Sequence, residues 1–535
     1  MIVTPTAVSP LVTSSATTAW RTTSQPVPVD TAATATPAVS VSLGQSVTPA
    51  DARTYAISGR TVAAPAWERQ PDDAISSLMA GNLVHGPSGT RFNGLGGAML
   101  KRFGADAGDF SQSVTLAAQG TSASALHTDA DNQIKLSIRT ASGATVELGL
   151  GSQDDGMAVQ IKVSGGELTE AERKALVQLS DAFQEAIDGL SAFPPRMALG
   201  GLMKFDPAVL SSIDFKAGIK AGIKADGKGA INTLEFHADA KSRSVNASGP
   251  SGAVKVDVDL SNPAILGDAT QQAQAMARYL QQVDAAGSRG RGDKALVSMF
   301  KDAFSQMNSD YGVTAPVAGR EAPGVIALNA GDHSLLSGLA DFNASMVQPP
   351  VSSNPMRPEE VDTFSYKLSQ STSVTGKDPR NRNIHQDQQA QLSASFHRPL
   401  TPEVSLLLTA SKESQFYEYV RIDDQARASA DITYEDGKRI GATVEQSASE
   451  SIRVQRYLMG KLASDTTTPL ERKRVSDVRL LLSSVEKAER SHEPEDARRR
   501  DQALAVAASL AVLPDRPGAL PPGYGETVYR PQPAG

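Results

Sequence analysis

The sequence predicts an α+β protein: antiparallel β-meanders, each followed by amphipathic helices, behind a disordered N-terminal segment. Three observations predict it. Apolar residues alternate with polar ones in runs broken by glycine turns, the period of half-buried antiparallel strands. Capped stretches with helical period follow those runs, an order that favours layered α+β packing over a parallel sheet. Residues 1 to about 70 are dominated by Ser, Thr, Ala, Val and Pro, and Arg21 and Asp30 are the only charges before Asp51. Such a segment buries too little surface to offset chain entropy.

The first meander is read from QIKLSIRTASGATVELGL, where Ile134, Leu136 and Ile138 alternate, Ser142-Gly143 turns, and Val146, Leu148 and Leu150 resume. Met157, Val159, Ile161 and Val163 continue it. In the helix that follows, Thr169 and Glu172 form a capping box, Leu176, Leu179, Phe183 and Ile187 make one stripe, and Gly189 ends it. The order recurs with strands from about 213 to 260, then helices over 268–285 and 293–309. A third strand-rich region takes in Phe364, Tyr366 and Leu368, then Leu392, Ala394 and Phe396, then Val404, Leu406, Leu408 and Ala410. Ala428 to Tyr434 lead into an Asp436-Gly437 hairpin turn and return through Ile440, Ala442 and Val444. Thr468-Pro469-Leu470-Glu471 reads as the capped start of a helix with Val475, Val478, Leu482 and Val485 on its apolar face. A last helix opens at Pro494.

The expected organisation is a leader over 1–70, a meander-plus-helix module over 71–195, and a meander-plus-helix-pair module over 196–312. A connector with one small helix (313–360), a long-stranded sheet (361–460), C-terminal helices (461–513) and a flexible tail (514–535) follow. The absence of cysteine excludes disulfides, thiolate metal sites and a thiol nucleophile. A net charge of −7 argues against a general nucleic-acid binder. No run of about 18 apolar residues suggests a transmembrane helix, and the N-terminus lacks the charged and apolar regions of a conventional signal peptide. The chain is therefore expected to be cytoplasmic, or exported by another route.

Each motif with a chemical meaning has a plainer reading. KADGKGAINTLEF resembles a calcium loop from Lys224, with Asp226, Asn232 and Glu235 at ligand positions. Lys224 and Lys228 occupy two other ligand positions, and the flanks alternate as strands, so a glycine-tipped hairpin around Gly227 is expected and no ion. GLGGAMLKRFG has Met99 where a dinucleotide fingerprint needs glycine, and reads as a flexible loop entering a short helix from Ala98 to Phe103. Seven histidines show no metal-ligand spacing. Ser298-x-x-Lys301 lacks its companion motifs and reads as a solvent-facing helix position. In the GSRGRGD linker Asp293 serves as a helix N-cap, and the Arg498–Arg500 run reads as a solvated helix face. No catalytic, cofactor-binding or metal-binding residue is assigned, and no cofactor is expected.

AWERQPDDAISSLMAGN (66–82), RFNGLGGAMLKRF and the meander leading to LTEAERKAL resemble a group of uncharacterised proteins of Gram-negative bacteria. Some similar sequences carry a lactate dehydrogenase label, for which this chain offers no dinucleotide loop, no alternating βα pattern and no catalytic His/Arg/Asp set. The expected function is a non-enzymatic exported or surface-associated protein that binds a protein partner or assembles through its β-rich modules. The alternative is a soluble enzyme whose site is assembled from dispersed residues.

Overall fold

A computed structural model describes residues 65–84, 88–116, 122–192, 195–223, 229–311, 326–489 and 494–520. They fall in one compact unit, Val62–Gly535. The expected leader up to residue 64, the tip around Gly227 and the tail beyond 520 lie outside the described residues.

Among the described residues fifteen antiparallel strands form a single sheet. One edge holds β1 (Ala66–Trp67) and β2 (Phe110–Thr115), followed by the meander of β3 (Asn132–Thr140), β4 (Thr145–Gln153) and β5 (Gly156–Ser164) in spatial order 1-2-5-4-3. From β6 (Leu210–Ile223) onward every strand pairs with its successor in sequence. These are β7 (Gly229–Asp239), β8 (Ser242–Gly249), β9 (Gly252–Asp259) and β10 (Asp341–Ser352). The long strands follow: β11 (Val361–Asp378), β12 (Asn381–Pro399), β13 (Tyr417–Glu435), β14 (Lys438–Leu458) and β15 (Lys461–Asp477). Two tight hairpins show how the turns are made. Asp436-Gly437 (φ 49° and 78°) and Met459-Gly460 (φ 53° and 73°) place two successive residues in the left-handed region, the geometry whose twist matches paired strands.

Register carries one apolar face across the sheet. Leu136 pairs Phe215, Phe215 pairs Phe236, Phe236 pairs Val245, and Val245 pairs Val256. All are buried, whereas Lys135, Arg139, Lys216, Glu235 and Lys255 on the opposite face are exposed. Helices cover the apolar face: α1 (Ala74–Val84), α2 (Leu95–Lys101), α3 (Ala123–Thr128), α4 (Glu170–Gln178) and α5 (Ser180–Ser191) over its first part. The Thr169/Glu172 capping box starts α4, and Phe183 of α5 meets Phe215 edge-on at 5.7 Å. Next come α6 (Ala269–Gly290) and α7 (Lys294–Met307), whose Tyr279 and Phe304 pack edge-on against Phe342 at 5.3 and 5.0 Å. Beyond α8 (Ala330–His333), α9 (Arg479–Glu489) and α10 (Pro494–Leu510) shelter a second cluster that includes Ile384, Ile432, Val444, Leu482 and Ala507. None of the described helices is long and apolar enough to cross a membrane.

Several sequence expectations change. The meanders are joined as successive stretches of one sheet. Residues 341–352, expected as connector, form β10. Val404 to Ala410 is not a strand but part of a loop, and Val404 is exposed. The helix expected at Thr468-Pro469 is the edge strand β15, and the helix begins only at Arg479. Sixteen residue pairs with β14 outweigh the local capping signal, and proline is tolerated on an edge. Helix α5 runs two residues past Gly189, whose lack of a side chain instead admits the Arg196 carbonyl: a Cβ there would lie 2.7 Å from it. GLGG is not a flexible loop either. Leu95 already starts α2, and a Cβ on Gly96 would lie 2.5 Å from Ile187, so these glycines let α2 press on α5. The GSRG stretch is the last turn of α6, where a Cβ on Gly290 would lie 2.8 Å from the Phe364 ring.

Candidate functional site

The inward face of β11–β14 departs from the apolar pattern under the end of α6. One lateral row reads Tyr366, Leu392, Asp424, Glu450, and the next reads Leu368, Ala390, Ala426, Ala448. Small alanines beside charged neighbours leave a hollow that α6 does not fill. A cavity of about 620 Å³ lies there, with Ala285, Ala286 and Arg289 of α6 on one side and Pro514 to Pro517 on another. That volume is in the range of small-molecule sites.

Arg289 crosses the cavity to the sheet. Its Nε bonds Asp424 Oδ2, its Nη2 donates to Asp424 Oδ1 at 3.1 Å, and Glu450 lies 3.7 Å from the same Nη2. The hydrogen bond to Asp424 holds the guanidinium even more firmly protonated than usual, against the opposing effect of burial. Two residues that line the cavity each carry a buried polar atom with no hydrogen-bond partner, the Tyr366 hydroxyl and Gln282 Oε1. Their residues are only 3% and 7% exposed. Burial, with the Asp515 charge adding to it, raises the Tyr366 phenol far above its ordinary value, so it stays a neutral donor and acceptor. A buried polar group left without a partner costs about 1–3 kcal/mol.

The outer wall is a strap formed by residues 511–520, most of it expected to be loose tail. Gln388 Nε2 donates to the Ala511 carbonyl at 3.1 Å, Gln446 Nε2 to Val512 at 2.6 Å, and Gln282 Nε2 to Leu513 at 2.8 Å. Arg472 Nη1 reaches the Leu520 carbonyl at 2.7 Å. The glutamines are buried among apolar neighbours, so strap and sheet satisfy one another's polar groups.

A second charged cluster sits on the opposite face of the sheet, where the 400–416 loop packs Leu406 and Leu408 against Tyr417, Tyr419 and Tyr457. His397 Nδ1 lies 2.7 Å from Asp362 Oδ1 and its Nε2 lies 3.1 Å from Glu360 Oε2. Tyr417 donates to the same Glu360 oxygen at 2.6 Å, and Arg357 stacks 4.5 Å over Tyr457. Burial alone would depress the imidazole, but the hydrogen bonds and charges of Asp362 and Glu360 outweigh it and raise His397 to about 9. Both ring nitrogens face carboxylates, so this histidine is a cationic tie between loop and sheet and not a metal ligand.

The motifs singled out in the sequence do not converge. Glu235 pairs with Lys216 at 3.2 Å on the exposed face, between two paired strands as the hairpin reading requires. Lys224, Asp226 and Lys228 lie outside the described residues. Asp293 caps α7 by accepting from Leu296 N at 2.9 Å, Ser298 is exposed, and Lys301 pairs with Asp284. Arg499 and Arg500 pair with Glu495, Asp496 and Asp501 on α10. Among the described residues no three histidine, aspartate or glutamate side chains form a metal-binding group. The residues that sequence reasoning missed are Gln282, Arg289, Tyr366, Asp424 and Glu450. A signal existed for two of them: Asp424 falls between Ile422 and Ala426, and Glu450 between Ala448 and Ile452, each a carboxylate at an inward position of an alternating strand.

No family model matches the chain, and no curated protein or solved structure is significantly similar to it.

The His397 cluster predicts a specific pH dependence. The folded imidazole holds its proton up to about 9 against an ordinary 6.5, so its contribution is complete below pH 6.5 and disappears as pH rises through 9. Urea titrations of the parent and a His397→Gln variant should differ by up to about 3 kcal/mol near neutrality and converge by pH 10. A difference that does not shrink with rising pH would contradict the cationic tie.

Proposed function

We propose that this chain is a non-enzymatic binding protein, exported or surface-associated, whose ligand site is the strap-covered chamber between α6 and β11–β14. The observation that carries the reading is the pair of buried, unpartnered polar atoms, Tyr366 Oη and Gln282 Oε1, on residues that line the chamber together with Arg289, Asp424 and Glu450. Alanine floor, proline rim and a few convergent polar groups are the composition of a small-molecule pocket. Asp424 is hydrogen-bonded to the Arg289 guanidinium and Glu450 lies 3.7 Å from it, an arrangement suited to holding a guest. The smaller cavity of about 310 Å³ near Met299 and Ile219 has no unpartnered buried side-chain atom among the described residues of its wall and supports the reading less. The exported half of the proposal is supported by the Ser/Thr-rich, nearly uncharged leader and the absence of cysteine.

Crystals soaked in a mixture of small amines, carboxylic acids, amides and sugars should show a guest touching Tyr366 Oη or Gln282 Oε1. Water alone in the chamber across the whole mixture would contradict the site. A reporter fused behind residues 1–70 should leave a bacterial host whose export machines are intact; complete retention would remove the exported half.

A further inference from the structure

We propose that the chamber selects an elongated primary amine, with its ammonium group at Asp424 and Glu450 and a neutral hydroxyl or amide at Tyr366 and Gln282. This deepens the chamber reading above and rests on it. Charge sets the first end. Arg289 neutralises one of the two carboxylates, leaving one negative charge in excess on the inner wall, while Asp515 and Arg516 at the exposed rim offset each other. Glu450 is the less engaged carboxylate, because its 3.7 Å approach to Arg289 is longer than a hydrogen bond. A half-buried carboxylate of this kind is matched by a cation that brings its own donors, which an ammonium does with three N–H groups.

The other end presents two neutral groups, with Asp515 of the rim near Tyr366. Gln282 Oε1 only accepts, whereas the Tyr366 hydroxyl both accepts and donates, so a hydroxyl or primary amide meets both at once. Register fixes the distance between the ends. Tyr366 and Glu450 belong to one row, with Leu392 and Asp424 between them, so three strand spacings of about 4.8 Å separate their backbones, roughly 14 Å in all. Both side chains shorten that gap, and a chain of several methylenes spans the remainder. Ala390 and Ala426, in the neighbouring row, leave room for such a chain to run beside Leu392. A carboxylate guest would face the excess negative charge, and a compact one would leave one end unsatisfied.

Isothermal titration calorimetry on the full chain with aminohexanol, hexanol and hydroxyhexanoate tests this. Aminohexanol should bind at least about tenfold more tightly than either of the others, the range of a charge-assisted hydrogen bond. Glu450→Gln should remove about tenfold of that affinity, and Tyr366→Phe should weaken the amine and the alcohol alike. Preference for hexanol or hydroxyhexanoate would overturn the ligand class and leave the chamber as the site. Aminohexanol binding that neither variant alters would overturn the class as well. Failure of all three probes with a chamber that accepts other soaked molecules again removes only the amine. Failure of all three together with a chamber that holds only water removes the chamber reading too.

Discussion

The strict register of the antiparallel ladder is the constraint on which everything else rests. Side chains change face at every residue, so a slip of one position in β13 or β14 would carry Asp424 or Glu450 out of the chamber and onto the exposed side. The hairpin turns hold that register. Asp436-Gly437 fixes β13 against β14 and Met459-Gly460 fixes β14 against β15, each through two consecutive left-handed residues. Register irregularities occur next to these turns, and between them the pairing from Tyr417 to Thr433 runs unbroken.

Long strands create a covering problem that the chain solves differently on the two faces. On the inward side α6 and α7 bury Phe342, Phe364 and Leu392, but the face also carries Gln370, Gln386, Gln388 and Gln446. Buried amides need partners, and the carbonyls of residues 511–513 supply several of them. The Tyr279 hydroxyl, 2.9 Å from Gln388 and 3.1 Å from Gln370, joins the helix layer to the same network. On the opposite side the 400–416 loop seals three tyrosines, and His397 between two carboxylates ties the loop's root to the β10–β11 turn. The chamber is the place where inward coverage stops short.

The fold was legible where pattern and partner agree. Alternation at 134–150, 213–219, 234–260 and 428–444, the Thr169/Glu172 box and the Asp293 cap all appear as the sequence suggests. It was misleading where a local signal had no matching neighbour. Val404 to Ala410 alternates without a strand to pair with, and Thr468-Pro469-Leu470-Glu471 has helix-start chemistry yet lies beside β14, where pairing decides. The site was largely illegible for a geometric reason. Gln282 and Arg289 come from a helix, Tyr366, Asp424 and Glu450 from three different strands, and the rim from the C-terminal strap. Only long-range pairing brings them together, and only the inward carboxylates of β13 and β14 left a trace in the pattern.

Residues 511–520 are held on the sheet by side chains, and Pro514 to Pro517 thereby form one wall of the chamber. Because the chain has no cysteine, a single cysteine at exposed Gly518 takes a spin label cleanly, and a Cβ there meets nothing closer than 3.9 Å. Electron paramagnetic resonance should show a restricted label in the parent. The label should become freely mobile when Gln282, Gln388, Gln446 and Arg472 are all changed to alanine, with the circular dichroism of the sheet retained. A label already mobile in the parent, or one equally restricted after all four tethers are removed, would contradict the account.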